Sequence, residues 1–186
     1  MAEMNFFEKI FVNSFIFDLF LKLILLPSFF RFTGNVSGKI LEIGCGKGTT
    51  TFGIVKRYSK ADLTAIDYDE EQVKKAVKIF PLRYISRTSF EQGDATNLRF
   101  KDKSFDFVFE LNSFHHIKNY EKAIKEVYRV LKKDGKFLIM DIWFPLILHG
   151  ESVISKKSFE NKLINNDFEV EKSKGLLGYY ITARKA

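Results

Sequence analysis

From residue 39 onward, short apolar runs alternate with longer stretches whose apolar residues recur at a period of about 3.6, and this alternation restricts the fold more than any other feature of the chain. Residues 39–43, 62–67, 89–92, 104–110 and 135–142 read as strands. Residues 48–58, 70–80 and 120–131 read as helices, the second broken at Pro81. After Pro145 a loop leads to a helix near 158–165 and to two more strand candidates, 168–172 and 178–183, joined by a glycine-containing turn. Strands alternating with helices require parallel pairing through crossovers, with helices on both faces, so the expected fold class is an α/β doubly wound sheet. A length of 186 residues fits one domain with a full core. Its expected parts are an N-terminal helical segment, 1–37, and the sheet-bearing part, 38–186.

In such a sheet ligands bind beyond the carboxyl ends of the strands, where the first strand turns into its helix. The turn there reads ILEIGCGKGTT over residues 40–50. A triphosphate-binding loop needs two glycines four residues apart, then lysine and a hydroxyl residue, whereas Lys47 lies between closely spaced glycines. A dinucleotide fingerprint is weakened by Thr49, which stands where glycine or alanine belongs. Glu42 beneath the loop would repel a pyrophosphate and suits a cation. S-adenosylmethionine carries a sulfonium and an ammonium group and no phosphate. Asp67 ends the second strand roughly twenty residues past Gly44, where a carboxylate accepts from both ribose hydroxyls. That position alone also fits a nicotinamide cofactor. In EQGDAT, residues 91–96, Asp94 is placed to accept from an adenine amino group while the Ala95 backbone offers its N–H to the ring.

Together LEIGCGKG, LTAIDYDEEQV, EQGDATNLRF, KSFDFVFELNSFHHI and RVLKKDGKFLIMD resemble the class I S-adenosylmethionine-dependent methyltransferases over about residues 38–143. The resemblance implies a Rossmann-like, mainly parallel seven-stranded sheet with the last strand antiparallel. It implies S-adenosylmethionine as cofactor and S-adenosylhomocysteine as product. Glu42, Gly44, Cys45 and Gly46 resemble the methionine-end wall, Asp67 with Tyr68 the ribose site, and Asp94 with Ala95 the adenine clasp. Glu110 and Leu111 resemble the end of the fourth strand, whose backbone lines the transfer site. The implied chemistry is an in-line displacement at the methyl carbon, to which an enzyme contributes mainly proximity and alignment. Where the nucleophile must lose a proton, His115 and His116 are the candidate bases. Asp141 is expected to end the fifth strand rather than line the pocket, Trp143 and Phe144 to form pocket wall or core, and Lys47 to be a solvated loop residue. FELNSFHHI is similar to the ubiquinone and menaquinone C-methyltransferase branch. Residues 80–90, FPLRYISRTSF, are longer and more basic than the family's usual approach to the third strand. The stretch between Pro145 and Ser158 lacks a substrate-recognition insertion, which leaves the N-terminal helix as the candidate substrate cover.

Several functions do not fit the sequence. The turn after the fourth strand reads ELNSFHH, not the Asn/Asp-Pro-Pro-aromatic signature of base amino-group methylation, so no DNA partner is expected. The single cysteine, Cys45, lies inside the cofactor loop and cannot serve as the nucleophile of pyrimidine carbon methylation. One cysteine also builds neither a disulfide nor a multi-cysteine metal site, so no metal and a reducing compartment are expected. The formal charge of +7 is spread over helix faces mixed with glutamates, which argues against an RNA patch. What remains is a small-molecule acceptor. A partner-dependent RNA or protein methyltransferase and a non-catalytic S-adenosylmethionine-binding module stay open as alternatives.

Residues 4–32 form an amphipathic helical pattern with a wide apolar face, interrupted by Glu8, Lys9, Asp18 and Lys22 and expected to end near Pro27. No uncharged run reaches the roughly 18 residues of a membrane span, and a basic signal-peptide start is missing, so a cytoplasmic location is expected. Packing onto the domain, a lid over an apolar acceptor and peripheral membrane contact are the three roles this face suits.

Overall fold

The computed structural model describes residues 14–142, 154–175 and 178–186. The expectations placed on residues 4–13, on Trp143 and Phe144, and on the loop after Pro145 up to residue 153 lie outside them.

Seven strands form one sheet in the order β3-β2-β1-β4-β5-β7-β6. They are β1 Gly38–Ile43, β2 Ala61–Asp67, β3 Thr88–Gln92, β4 Phe105–Leu111, β5 Leu131–Ile142, β6 Phe168–Gly175 and β7 Gly178–Lys185. The pairs among β1 to β5 are parallel, and β7 runs antiparallel to both β5 and β6. Helices α1 Phe15–Phe20 and α2 Leu26–Thr33 precede the sheet; α3 Thr49–Arg57, α4 Glu70–Ile79, α5 Tyr120–Val130 and α6 Lys156–Ile164 follow within it.

Burial on both faces explains why the strand sequences read as continuous apolar runs. Leu41, Ile43, Phe137 and Ile139 point into a core completed by Ile124, Val127 and Val130 of α5 and Phe159 and Leu163 of α6. Their strand neighbours Ile40, Leu138 and Met140 point the other way, into a core with Ile54 and Val55 of α3 and Leu26 and Phe29 of α2. Phe29 is wholly buried and meets Phe109 edge-on at 5.8 Å. Burying such a ring is worth about 2 kcal/mol.

The helix of the N-terminal segment does not end at Pro27. A π turn, Leu21–Leu25, joins α1 to α2, and the chain stays helical to Thr33. In the wide turn Leu26 N–H donates to Leu21 O, which opens the helix just ahead of the proline. Pro27 then falls in the first turn of α2, where its missing N–H costs nothing. The helix stops at Gly34, whose φ is 73°.

The basic stretch before β3 is a 3-10 helix, Leu82–Arg87. Its last residue is structural: the Arg87 guanidinium donates to the carbonyls of Val55 (2.9 Å), Tyr58 (3.2 Å) and Ala61 (2.9 Å), closing the C-terminal end of α3. Among the described residues no helix is long and apolar enough to cross a membrane.

Candidate functional site

The glycine turn after β1 is tied to the end of β2. Gly44 and Cys45 both donate their N–H to Ile66 O, at 2.8 and 3.0 Å. Gly46 N–H donates to Asp67 Oδ2 at 2.7 Å, and Asp69 N–H donates to Asp67 Oδ1 at 2.9 Å. Burial pushes the Asp67 carboxyl up from its ordinary range, against the opposing pull of these N–H groups. Gly44 has φ of 77°, and a Cβ there would sit 2.3 Å from Ser113 Cβ, so only glycine lets the β1 and β4 loops touch. Ser113 Oγ lies 3.1 Å from both Ile43 O and Glu110 Oε1.

Two glutamates are fully buried beneath these loops. Glu42 Oε1 accepts from Thr50 Oγ1 at 2.5 Å in the first turn of α3. Burial raises its pKa to about 7, with the Thr50 bond opposing. Glu110 Oε1 accepts from the N–H groups of Ser113 (2.5 Å) and Phe114 (3.0 Å), which folds the β4 loop around it. Burial and the charge of Asp141 push its carboxyl well above the usual range. Leu111 beside it is buried in the core.

Asp94 uses one oxygen, Oδ1, to accept from Thr96 N–H (2.8 Å) and Thr96 Oγ1 (2.9 Å), with Ala95 buried behind it. Tyr68 is exposed at the rim and its carbonyl accepts from Gln92 Nε2. Beyond β4, His115 Nδ1 lies 3.0 Å from Asp141 Oδ1, Tyr179 Oη donates to Asp141 Oδ2 at 3.4 Å, and the His115 and His116 rings are 4.0 Å apart. The His115 ring and the Asp141 carboxylate are both almost wholly buried. Asp141 therefore does more than end its strand. The Cys45 thiol is buried, and burial with the charges of Glu42 and Asp67 pushes its pKa up, which removes it as a nucleophile.

The site thus brings together Glu42, Gly44, Cys45, Gly46, Asp67, Tyr68, Asp94, Ala95, Glu110 and Leu111 at the carboxyl ends of β1 to β4. Three organising residues carry no signal that assigns their role: Thr50 and Ser113, although inside the quoted stretches, and Asp18. Asp18 of α1 accepts from Thr49 Oγ1 at 3.1 Å and pairs with Lys47 at 3.0 Å. Lys47 is accordingly not a solvated loop residue; its charge is spent on Asp18, and the groups facing one another across the turn are carboxylates.

That donor set suits S-adenosylmethionine. Glu42 Oε2 is buried and makes no hydrogen bond of full geometry among the described residues, with the Thr51 hydroxyl near enough only to steady its charge, so it remains an acceptor for positive charge. A Cβ at Gly46 would meet nothing within 4 Å, so beside Asp67 the turn borders open space. No cluster that could hold a metal ion occurs among the described residues.

Residues 35–184 match the family model described as a methyltransferase domain. The chain belongs to that family. This methyltransferase-domain protein is 34% identical over 107 residues to an uncharacterized methyltransferase, YcgJ, of Bacillus subtilis, covering 58% of this chain and 42% of the relative. It is 32% identical over 118 residues to the ubiquinone/menaquinone biosynthesis C-methyltransferase UbiE of Rickettsia bellii, covering 61% and 48%. A fatty-acid O-methyltransferase of Mycolicibacterium smegmatis is 33% identical over 108 residues, covering 58% and 38%. The matches span less than half the length of each of these relatives. Among solved structures, the PH0226 protein of Pyrococcus horikoshii superimposes with a TM-score of 0.78 at 23% identity, covering 99% of this chain and 100% of that one. The likeness establishes the fold, as the sheet order does independently.

Proposed function

We propose that this chain is an S-adenosylmethionine-dependent methyltransferase that methylates a small apolar acceptor. The observation that carries the reading is the acidic turn: a buried glutamate with an unused oxygen under three positive-φ glycines, beside a strand-end aspartate. When bound, S-adenosylmethionine supplies a methyl group already activated by its sulfonium. Asp67, with Tyr68 at the rim, would hold the ribose hydroxyls, and Asp94 with the Ala95 backbone the adenine edge. The Gly44–Gly46 turn would receive the methionine end above Glu42, with Cys45 as apolar wall. The backbone of Glu110 and Leu111 would line the place of transfer. The names of the relatives, which include acceptors such as fatty acids and quinones, and the aromatic N-terminal segment support an apolar acceptor.

The reading is tested by incubating the protein with methyl-labelled S-adenosylmethionine and a cell extract, then separating lipid, small-molecule, RNA and protein fractions. Label in the lipid or small-molecule fraction is expected. Label confined to RNA or protein would overturn the acceptor class, and cofactor binding without any label would make the chain a binding module.

For an acceptor whose nucleophile carries a proton, the base role falls to the His115–His116 pair, with Asp141 as the positioning residue. Asp141→Asn removes the negative charge beside the imidazole. With such an acceptor it is expected to slow turnover by about tenfold, while affinity for S-adenosylhomocysteine holds. A purely structural Asp141 would lower the melting temperature and the affinity for S-adenosylhomocysteine along with the rate.

A further inference from the structure

We propose that α1, the π turn and the 3-10 helix Leu82–Arg87 together form a face that docks on an anionic lipid surface. The orientation of α1 is the reverse of an ordinary surface helix. Its one acid, Asp18, is turned inward onto Lys47 and Thr49, while Phe15, Ile16 and Leu19 are turned out and Phe20 packs against the core. Phe15 is 77% exposed, Ile16 76% and Leu23 65%. Phe15, Leu19 and Leu23 follow one another at every fourth position and so line one strip of the helix. The opposite side of the same segment is already satisfied: Leu21, Leu25 and Phe29 are buried against the sheet, so the exposed strip is not a core face awaiting this domain.

A second apolar lip stands across a cleft. The cleft, of ≈ 150 Å³, is bounded on one side by Asp18 and Lys22 and on the other by Ile79, Phe80 and Pro81. Just past it Leu82 is 84% exposed, the most exposed large apolar side chain among the described residues. Two apolar lips flanking one cleft at the edge of the cofactor loop make a larger patch than scattered surface leucines do.

The charge around this patch selects the partner. Lys22 lies on the first lip, Lys75 one helical turn before Ile79, and Arg83 directly after Leu82, all three exposed. The acids of the helix that leads to the second lip, Glu70 and Glu71, are paired with Lys74. With Asp18 held inside, the patch is apolar at its centre and basic at its rim, on a chain of net charge +7. A bilayer with anionic headgroups complements both parts, since buried apolar area and rim lysines or arginines add in such docking. Because Asp18 also grips the residues at the start of α3, the docked helix stays joined to the cofactor loop.

The docking rests on the surface alone and holds whichever acceptor is methylated. It is tested by floating the full chain, without cofactor or acceptor, with vesicles of phosphatidylcholine and with vesicles that also contain phosphatidylglycerol. Binding to the anionic vesicles is expected to exceed binding to the neutral ones by about tenfold and to weaken with added salt. Leu23→Ser and Leu82→Ser are each expected to lower it by about fivefold or more. Both side chains are exposed, so an unchanged melting temperature confirms that the variants are folded. Failure to float with either vesicle, equal flotation of the doubly substituted chain, or a concentration-dependent dimer that the two substitutions abolish would each overturn the proposal. S-adenosylhomocysteine binding, measured on the same preparation, keeps a failure of docking distinct from a failure of the cofactor reading.

Discussion

Asp67→Ala is expected to lower affinity for S-adenosylhomocysteine by about 100-fold or more, measured by isothermal titration. Two losses combine. The carboxylate that would accept from the ribose hydroxyls is removed, and hydrogen bonds to a charged group are worth about 1.5–3 kcal/mol each. The Gly46 and Asp69 N–H groups, now held by the two oxygens of Asp67, are also released, so the turn keeps only its Gly44 and Cys45 bonds to Ile66 O as ties to β2. Asp67→Asn should recover little, because an amide presents a donor to one of two backbone donors. Asp94→Ala is expected to cost less, about tenfold, since Asp94 engages only its own loop, through Thr96. The apo protein should melt at a similar temperature in both Asp67 variants, because removing a carboxylate whose burial is unfavourable offsets the bonds lost. Affinity unchanged in Asp67→Ala would sink the ribose assignment.

The parts legible in the sequence are those fixed by local pattern. The seven strands fall within a few residues of where periodicity and glycine turns put them. The turn, Asp67 and Asp94 could be placed because each ends or closely follows a strand whose position follows from the alternation. What escaped depends on contacts between distant segments. Thr49 meets Asp18 from 31 residues away, and Ser113 meets Ile43 from 70. Nothing in the turn itself says that Lys47 will find a carboxylate on a preceding helix. Pro27 misled for a different reason: a proline inside an apolar helical pattern signals a stop, and the π turn that accommodates it leaves no composition signal. Arg87 belongs to a stretch that reads as basic surface, yet its guanidinium is used to close α3.

Glu42→Gln should have opposite effects on stability and on cofactor affinity. Burial raises the Glu42 pKa from 4.5 to about 7 in the folded chain, so the folded state binds a proton that the unfolded state has released. The associated stability is fully present below pH 4.5 and is lost as pH rises through 7. Glutamine does not titrate. Whatever fixed cost its amide carries beside Thr50, the stability of the variant relative to the natural chain should rise by about 3 kcal/mol between pH 4.5 and pH 8, a change that urea unfolding at the two pH values measures. Glu110 titrates in both proteins and largely cancels from this difference. Affinity for S-adenosylmethionine should move the other way, falling by about tenfold at pH 8, because the charge that favours a cation over a phosphate has gone. S-adenosylhomocysteine lacks the sulfonium and should lose less. Equal losses for the two ligands would mean that Glu42 acts only by shaping the turn through Thr50. A larger loss for S-adenosylmethionine would mean that a carboxylate costly to the fold is kept for its charge, which is how a binding site and a stable core come to conflict at one residue.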